Sequence, residues 1–207
     1  MAPTDPRTIL IATTNRGKLS EIAAVMADAP ITWIGLADVP AMPECVEDGA
    51  TFEANAEKKA MYYARRSGHW TLADDSGLEV DALGGEPGVH SARYAGEPKS
   101  DARNNALLIA RLAAVPDGRR TARFRCALAL AGDGQILARA AGAVEGVIVD
   151  TPRGVNGFGY DPHFLVPSRG QTMAELAADE KNRISHRGQA LVALKQALRP
   201  LLTALQR

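Results

Sequence analysis

Three short apolar runs alternate with two helical segments over the first 75 residues, and this order restricts the fold more than any other feature of the sequence. The runs and segments follow one another at 7–15, 16–29, 31–36, 51–68 and 70–74. Thr51 is a good N-cap for the second helical segment, and Gly68 is a good helix stop. A strand–helix–strand–helix–strand order of this kind predicts an α/β sheet with crossover helices.

The rest of the chain adds strands that we expect to be antiparallel. Two apolar segments within residues 121–149 flank the tripeptide Gly132-Asp133-Gly134, which is a hairpin signal. Helices are predicted at 100–115 and at 185–205, and the second contains Pro200, which is expected to kink or split it. The whole therefore predicts a mixed sheet.

Charge and cysteine content exclude several classes of protein. The chain has 207 residues, with 24 Lys plus Arg and 24 Asp plus Glu, so a polymeric nucleic acid is not expected as a partner. Cys45 and Cys126 do not form a CxxC pair, so neither a zinc site nor a disulfide framework is predicted. The N-terminal residues do not resemble a signal peptide, and no run of about 18 apolar residues occurs. We therefore expect a cytoplasmic protein with no membrane partner.

The stretch LADDSGLEV, residues 72–80, places two carboxylates side by side, Asp74 and Asp75. Asp, Ser and Gly all favour turns, so a tight turn is one interpretation. The other is a metal site, because the preceding residues form an apolar strand and sites in open α/β sheets lie beyond the carboxyl ends of strands. Mg²⁺ binds one or two carboxylates together with phosphate oxygens. The residues themselves leave both interpretations open.

The stretch TTNRGK, residues 13–18, follows the first strand and opens the first helix. The free N–H groups and partial positive charge of a helix N-terminus suit phosphate, and Lys18 can reach a phosphate oxygen. The stretch lacks the GxxxxGK[ST] pattern of a Walker A loop. The alternative is an Asn-capped helix with a surface lysine.

Three more polar stretches each have two interpretations. VEDG, residues 46–49, is a solvated loop or a source of acids, and Lys59 on the following helix points into water or into a site. FGYD, residues 158–161, either stacks on a base or anchors its own loop with an aromatic plug. In ISHRG, residues 184–188, the basic side chains form an exposed turn or donate hydrogen bonds to a base carbonyl.

Five blocks of the sequence, in this order, resemble the inosine/xanthosine triphosphate pyrophosphatases, and the resemblance runs nearly end to end. They are IATTNRGK (11–18), TFEANAEKKA (51–60), LADDSGLEVDALGGEPGVHSARYAG (72–96), GFGYDP (157–162) and EKNRISHRGQAL (180–191). Two positions depart from the family pattern: Thr14 stands where glycine is frequent, and Ala54 stands where a glutamate is usual.

The resemblance implies a fold, an activity and partners. It implies one α/β domain over 1–207, with an elongated mixed β-sheet flanked by helices and two lobes around a central active-site cleft. It implies a homodimer that uses Mg²⁺ to hydrolyse ITP, dITP and XTP between the α- and β-phosphates, which cleanses the nucleotide pool of aberrant purine nucleotides.

The resemblance also implies roles for individual residues. Asp75 corresponds to the proton acceptor and holds Mg²⁺ together with Glu47, whereas Ser76 touches the substrate and Lys59 neutralises phosphate charge. The phosphate cradle comprises Thr13, Thr14, Asn15, Arg16, Gly17 and Lys18. The base and sugar are bound by Phe158, Gly159, Tyr160, Asp161, Lys181, His186 and Arg187.

Two other functions remain open from the sequence. A related pyrophosphatase for modified pyrimidine or other nucleotides would share the cradle and the acids but not the FGYD and SHRG stretches. A non-enzymatic nucleotide-binding module would not need Glu47 and Asp75 together near the phosphates. A pyrophosphate-release assay separates an enzyme from such a module.

Overall fold

The computed structural model describes residues 8–204, and side chains up to residue 203. The predictions for Arg7 and for Leu205 lie outside the described residues. In chain order the strands and helices are β1 Thr8–Ile11, α1 Arg16–Val25, β2 Thr32–Gly35, α2 Phe52–Ser67, β3 Trp70–Val80, α3 Asp101–Leu112, β4 Thr121–Gly132, β5 Gln135–Ile148, β6 Phe164–Val166, β7 Gln171–Thr172, α4 Ala178–Ile184 and α5 His186–Ala204.

The strands form one mixed sheet in the order β2-β1-β3-β4-β5-β6-β7. β1 is parallel to both β2 and β3, with Leu10 opposite Ile34 on one side and Thr71 on the other. β6 is antiparallel to both β5 and β7. Both the α/β class and the mixture of parallel and antiparallel strands predicted from the sequence are confirmed.

Local chemistry sets several element boundaries as the sequence predicts. The Thr51 side chain accepts from the Ala54 amide at 3.1 Å and caps α2. The helix ends at Gly68, whose φ of 75° is in the left-handed region that favours glycine. Asp133 and Gly134 both have positive φ, 52° and 79°, which is the conformation of a type I′ hairpin turn between β4 and β5. α5 contains Pro200 within a single helix, so of the two outcomes expected at this proline the split is wrong and the kink stays a prediction.

β3 extends further than predicted. The sequence predicts a strand at 70–74 with a possible turn at DDSG, but β3 continues through Asp74 and Asp75 to Val80, so the turn is wrong. Leu78 and Val80 are fully buried in a second apolar cluster, which gives the strand a reason to continue. Gly77 serves close packing, because a Cβ there would lie 2.7 Å from the Gly88 carbonyl oxygen.

The chain divides into two compact units, each with its own apolar core. Within the described residues, the first unit comprises 8–75, 126–142 and 187–204, and the second comprises 76–125 and 143–186. The first core includes Ile9, Ile22, Met26, Leu72, Leu128, Leu191, Leu194 and Leu198. The second core includes Leu78, Val80, Leu108, Leu112, Phe124, Phe164 and Met173. Across residues 8–204, none of the helices combines the length and apolar character needed to span a membrane.

Candidate functional site

Asp74 lies at the centre of a buried charge cluster in the first unit. Lys18 Nζ is 2.5 Å from one carboxylate oxygen, and Arg187 Nε is 2.8 Å from the other. The Cys126 thiol donates to that second oxygen at 3.2 Å, and Arg187 also pairs with Glu21. Burial by itself would raise the pKa of Asp74, but the charges of Arg187 and Lys18 outweigh it and hold the pKa well below its usual range. Asp74 is therefore an anion at neutral pH.

The β1–α1 connection brings Lys18 to this cluster. Asn15 caps α1 by accepting from the Lys18 amide at 3.1 Å, and the Asn15 amide donates to Thr13 Oγ1 at 3.1 Å. Thr14, Asn15 and Arg16 are exposed, so the first amides of the helix face an accessible surface. The expected helix cap is confirmed. The lysine is not a simple surface side chain, because only 16% of it is exposed.

Asp75 lies with a second group of polar side chains, carried by α2 and the loop before it. Lys59 Nζ is 2.8 Å from Glu47 Oε1, and Asn55 lies close enough to Asp75 to affect its ionisation. Burial raises the pKa of Asp75 to about 6 and nearby Glu47 adds to the rise, whereas Lys59, Lys18 and the Asn55 side chain oppose it. A carboxylate with this pKa can accept a proton near neutral pH.

The strand geometry explains why two adjacent carboxylates have different neighbours. Consecutive side chains of a strand point to opposite faces of the sheet. In the order β2-β1-β3 the two crossovers run in opposite directions. Because such crossovers are right-handed as a rule, α1 and α2 are expected on opposite faces of the sheet. Asp74 therefore meets Lys18 of α1, and Asp75 meets Asn55 of α2.

The donor chemistry of this second group is compatible with Mg²⁺. Glu47 and Asp75 supply carboxylate oxygens, which this hard cation prefers, and it commonly takes its remaining ligands from phosphate and water. Among residues 8–204, no group of three or more His, Cys, Asp or Glu side chains could enclose a metal ion by itself. The arrangement suits a metal that binds together with a phosphorylated ligand.

In the second unit, the FGYD stretch is fixed by buried contacts. Lys181 Nζ is 2.6 Å from Asp161 Oδ2 and 4.8 Å from the centre of the Phe158 ring. The same carboxylate oxygen accepts from the Phe158 amide at 2.9 Å. These three predicted base-site residues are thus brought together. A lysine above an aromatic face combines a hydrogen-bond donor with a stacking surface, which suits a nucleobase.

Tyr160 and His186 are both buried. Tyr160 is 5% exposed and its hydroxyl donates to the Ser91 carbonyl at 2.8 Å, as expected if it anchors the loop. Burial raises the pKa of the Tyr160 hydroxyl above its usual value. His186 stacks on Phe124 with ring centres 5.0 Å apart. Contact of either side chain with a base stays a prediction.

Arg187 belongs to the charge cluster around Asp74, and Ser76 lies in β3. Arg187 is 1% exposed and bonds Asp74 and Glu21, which gives it different neighbours from Lys181. Ser76 follows Asp75 in β3 and is half-buried. Their predicted contacts with base and substrate remain untested.

Several residues at these sites were missed from the sequence. Asp101 accepts from the Gly159 amide at 2.7 Å, and Asn105 donates to the Gly159 carbonyl at 2.9 Å. Two side chains of α3 therefore hydrogen-bond the amide and the carbonyl of this glycine. Cys126 binds Asp74. The four-residue spacing of Asp101 and Asn105 places them on one helix face, which was an available signal, but it does not reveal the partner.

Comparisons with known proteins agree on one family. The sequence model of the Ham1 family matches residues 9–197. The chain is 54% identical to the dITP/XTP pyrophosphatase of Geobacter sulfurreducens over 190 residues, which is 92% of this chain and 96% of that protein. It is 52% identical to the dITP/XTP pyrophosphatase of Shouchella clausii, with the same coverage of both chains.

Solved structures agree as well. The Staphylococcus aureus Ham1 protein superimposes with a TM-score of 0.83 at 40% identity, covering 94% of this chain and 99% of its own. A HAM1 protein from Coxiella burnetii gives a TM-score of 0.82 at 42% identity, covering 95% of this chain and 98% of its own.

Proposed function

The chain belongs to the Ham1 family, and from that premise we propose that it is a pyrophosphatase that hydrolyses dITP, XTP and ITP to nucleoside monophosphate and pyrophosphate. Its relatives named dITP/XTP pyrophosphatase share about half of its residues over more than 90% of its length. One observation carries the proposal for this chain: Asp74 and Asp75 are adjacent, yet the pKa of one is lowered and the pKa of the other is raised to about 6. Divergent pKa values in neighbouring carboxyl groups are typical of acid–base sites.

Positive groups in the first unit bind the triphosphate in this proposal. The start of α1 and the Lys18 ammonium receive phosphate oxygens, and Lys59 neutralises further charge. Lys18 is already oriented by Asp74, so little side-chain freedom is lost when the phosphate arrives. Phosphoryl transfer requires chiefly positioning and electrostatic stabilisation, which these groups provide.

Asp75 has two roles in the proposal. With Glu47 it would hold Mg²⁺, which when bound withdraws charge from the phosphates and orients them. Its carboxylate also takes a proton from the attacking water. The phosphoanhydride bond between the α- and β-phosphates breaks, the water oxygen joins one product, and pyrophosphate leaves.

The base is selected by residues 158–161, Lys181, His186 and Arg187 in the proposal. Hypoxanthine and xanthine carry a carbonyl at position 6 where adenine carries an amine. Lysine, arginine and histidine donors satisfy the carbonyl but leave the amine facing other donors, which is costly in a closed pocket.

A panel of nucleoside triphosphates with Mg²⁺ tests the function, with pyrophosphate release as the readout. We expect kcat/KM for ITP, dITP and XTP to exceed that for ATP by more than about 10²-fold, as a site built around a polar substrate group allows. Equal rates for ATP and ITP would remove the base-selection part of the proposal. No pyrophosphate from any purine triphosphate would overturn the enzyme itself.

Lys18→Ala is expected to weaken triphosphate binding about 10- to 100-fold, since hydrogen bonds to charged groups are worth about 1.5–3 kcal/mol. Binding of inosine monophosphate should weaken less, because it has fewer charges to balance. Isothermal titration calorimetry with an uncleavable α,β-methylene triphosphate and with the monophosphate measures both. Lys195→Ala, in α5, is a control and should change neither affinity. Equal losses for the two ligands would place Lys18 in the base site or the scaffold.

The resemblance also supports our proposals that the protein is a homodimer, that it requires Mg²⁺, and that it is cytoplasmic. The dimer is checked by light scattering, since the chain mass is 21.9 kDa and the dimer has twice that mass. The metal requirement is checked by adding a chelator to the pyrophosphate assay and then restoring Mg²⁺. The location is checked by fractionating cells and probing with an antibody.

A further inference from the structure

The loop that carries Glu47 is held by one face of α2. Residues 40–49 have no regular secondary structure. The loop is tied to α2 side chains at successive points. Tyr62 donates to the Pro43 carbonyl, Tyr63 accepts from the Cys45 amide, Lys59 pairs with Glu47, Lys58 pairs with Asp48, and Asn55 bonds Gly49. The position of Glu47 therefore depends on side chains of α2.

Asn55 differs from the other α2 side chains that contact this loop, because it interacts both with the loop backbone and with Asp75. Its side chain is fully buried, accepts from the Gly49 amide at 2.7 Å and donates to the Gly49 carbonyl at 3.4 Å. Burial raises the pKa of Asp75 in β3, and the same Asn55 side chain acts to lower it. Asn55 thus holds the loop backbone, two residues after Glu47, and lies beside the other predicted metal-binding acid.

Lys59 completes this arrangement one helical turn later. Residues four apart lie on the same face of a helix. Asn55 holds the loop backbone at Gly49, and Lys59 holds the Glu47 side chain at 2.8 Å. Glu47 is therefore positioned by α2, the same helix whose Asn55 side chain acts on Asp75.

We propose that Asn55 is a positioning residue that fixes Glu47 and Asp75 relative to each other for the binding of a divalent cation. The inference rests on the proposed function, which assigns these two acids to Mg²⁺. Asn55 touches neither metal nor substrate in this role. Groups that orient metal ligands typically change metal affinity or activity by about 10- to 100-fold when they are replaced.

A purely structural role for Asn55 makes a different prediction. If Asn55 only satisfied the buried loop backbone, its loss would lower the free energy of unfolding but leave the metal affinity of the folded protein unchanged. If it positions the acids, metal affinity falls in protein that remains folded. Metal affinity therefore separates the two roles.

The test measures Mn²⁺ binding to the whole protein by electron paramagnetic resonance, with and without an uncleavable α,β-methylene inosine triphosphate. Asn55→Ala is expected to weaken Mn²⁺ binding about 10- to 100-fold relative to wild type. Gly49→Ala is the second variant, because its Cβ would lie 2.7 Å from the Asn55 amide oxygen and would separate the two groups without opening a buried cavity. Gly49→Ala should therefore also weaken Mn²⁺ binding.

Lys58→Met is the matched control, because it removes an exposed tether from the same loop. Surface ion pairs contribute little, so Mn²⁺ affinity should stay within about twofold of wild type. The proposal is overturned if folded Asn55→Ala and Gly49→Ala bind Mn²⁺ as wild type does, if Lys58→Met loses as much affinity as they do, or if wild type binds no Mn²⁺ under either condition. Mn²⁺ binding without pyrophosphate release would instead count against the proposed activity, and the role of Asn55 would still be decided.

Discussion

Asp75→Asn is expected to lower turnover of dITP and ITP by about 10²–10⁴-fold, the usual contribution of a general base, while making the protein more stable. The substitution keeps the shape of the side chain, but it removes the basic carboxylate. Stability should rise because burial disfavours the Asp75 anion, as its pKa of about 6 shows. For the protein free of metal and nucleotide we expect a gain of about 1–3 kcal/mol at pH 8.

The pH dependence of this gain has a defined sign. The pKa of Asp75 rises from 3.8 to about 6 on folding, so the folded protein binds a proton more tightly than the unfolded chain. Stability from this group is therefore lost as pH rises through that interval and stays lost above it. The advantage of Asp75→Asn should be full at pH 8 and shrink as pH falls toward 4.

Denaturant unfolding at several pH values, together with pyrophosphate release, measures both effects of Asp75→Asn. Asp179→Asn, which replaces an exposed acid, is the control and should change neither quantity. A folded Asp75→Asn protein with near-normal turnover would remove Asp75 from the chemistry. A loss of stability at pH 8 would show that the ionised carboxylate supports the fold.

Asp74→Asn is expected to have the opposite effect on stability, lowering the free energy of unfolding by about 3–5 kcal/mol. The substitution leaves Lys18 and Arg187 without the anion between them, and Arg187 is almost completely buried. Because Glu21 still pairs with Arg187, we expect a loss toward the lower end of that range. The pKa of Asp74 is lowered on folding, so its contribution is present at neutral pH and is lost only as pH falls below 3.8.

Denaturant unfolding of Asp74→Asn at pH 7 measures this loss. The double variant Asp74→Asn/Arg187→Met tests the cause, because removing the stranded cation should recover part of the stability. If Asp74→Asn were as stable as wild type, the buried ion pairs would not support the fold. If the double variant were less stable than Asp74→Asn, the loss would come from packing rather than from unpaired charge.

Features set by local chemistry could be predicted from the sequence. Thr51, Gly68 and the Asp133-Gly134 turn act through neighbours a few residues away. The local sequence pattern is therefore sufficient to predict these helix ends and this turn. The continuation of β3 past Asp75 could not be predicted in this way. It depends on Leu78 and Val80 entering a second core whose other members are distant in sequence.

The candidate site likewise has features that the local sequence reveals and features that depend on distant residues. The adjacency of Asp74 and Asp75 identifies an unusual position, but their different ionisation depends on which helix each face of the strand meets. Arg187 reaches Asp74 across 113 positions of sequence, and no local pattern signals that contact. The role of Asn55 likewise depends on a loop and a strand that meet only in the folded chain.

The division of the first unit into three separate stretches of chain has a consequence for synthesis. Its core combines β1 and β3 with Leu191, Leu194 and Leu198 of α5, so these strands are made long before the helix that packs on them. Until α5 has been translated, the apolar surface of those strands is not packed against its native partner. Closure over such long sequence separations is slow, and exposed strands are prone to associate with other chains. A nascent chain stalled before α5 is therefore expected to engage chaperones, and a gene truncated there should yield aggregated protein rather than a smaller enzyme.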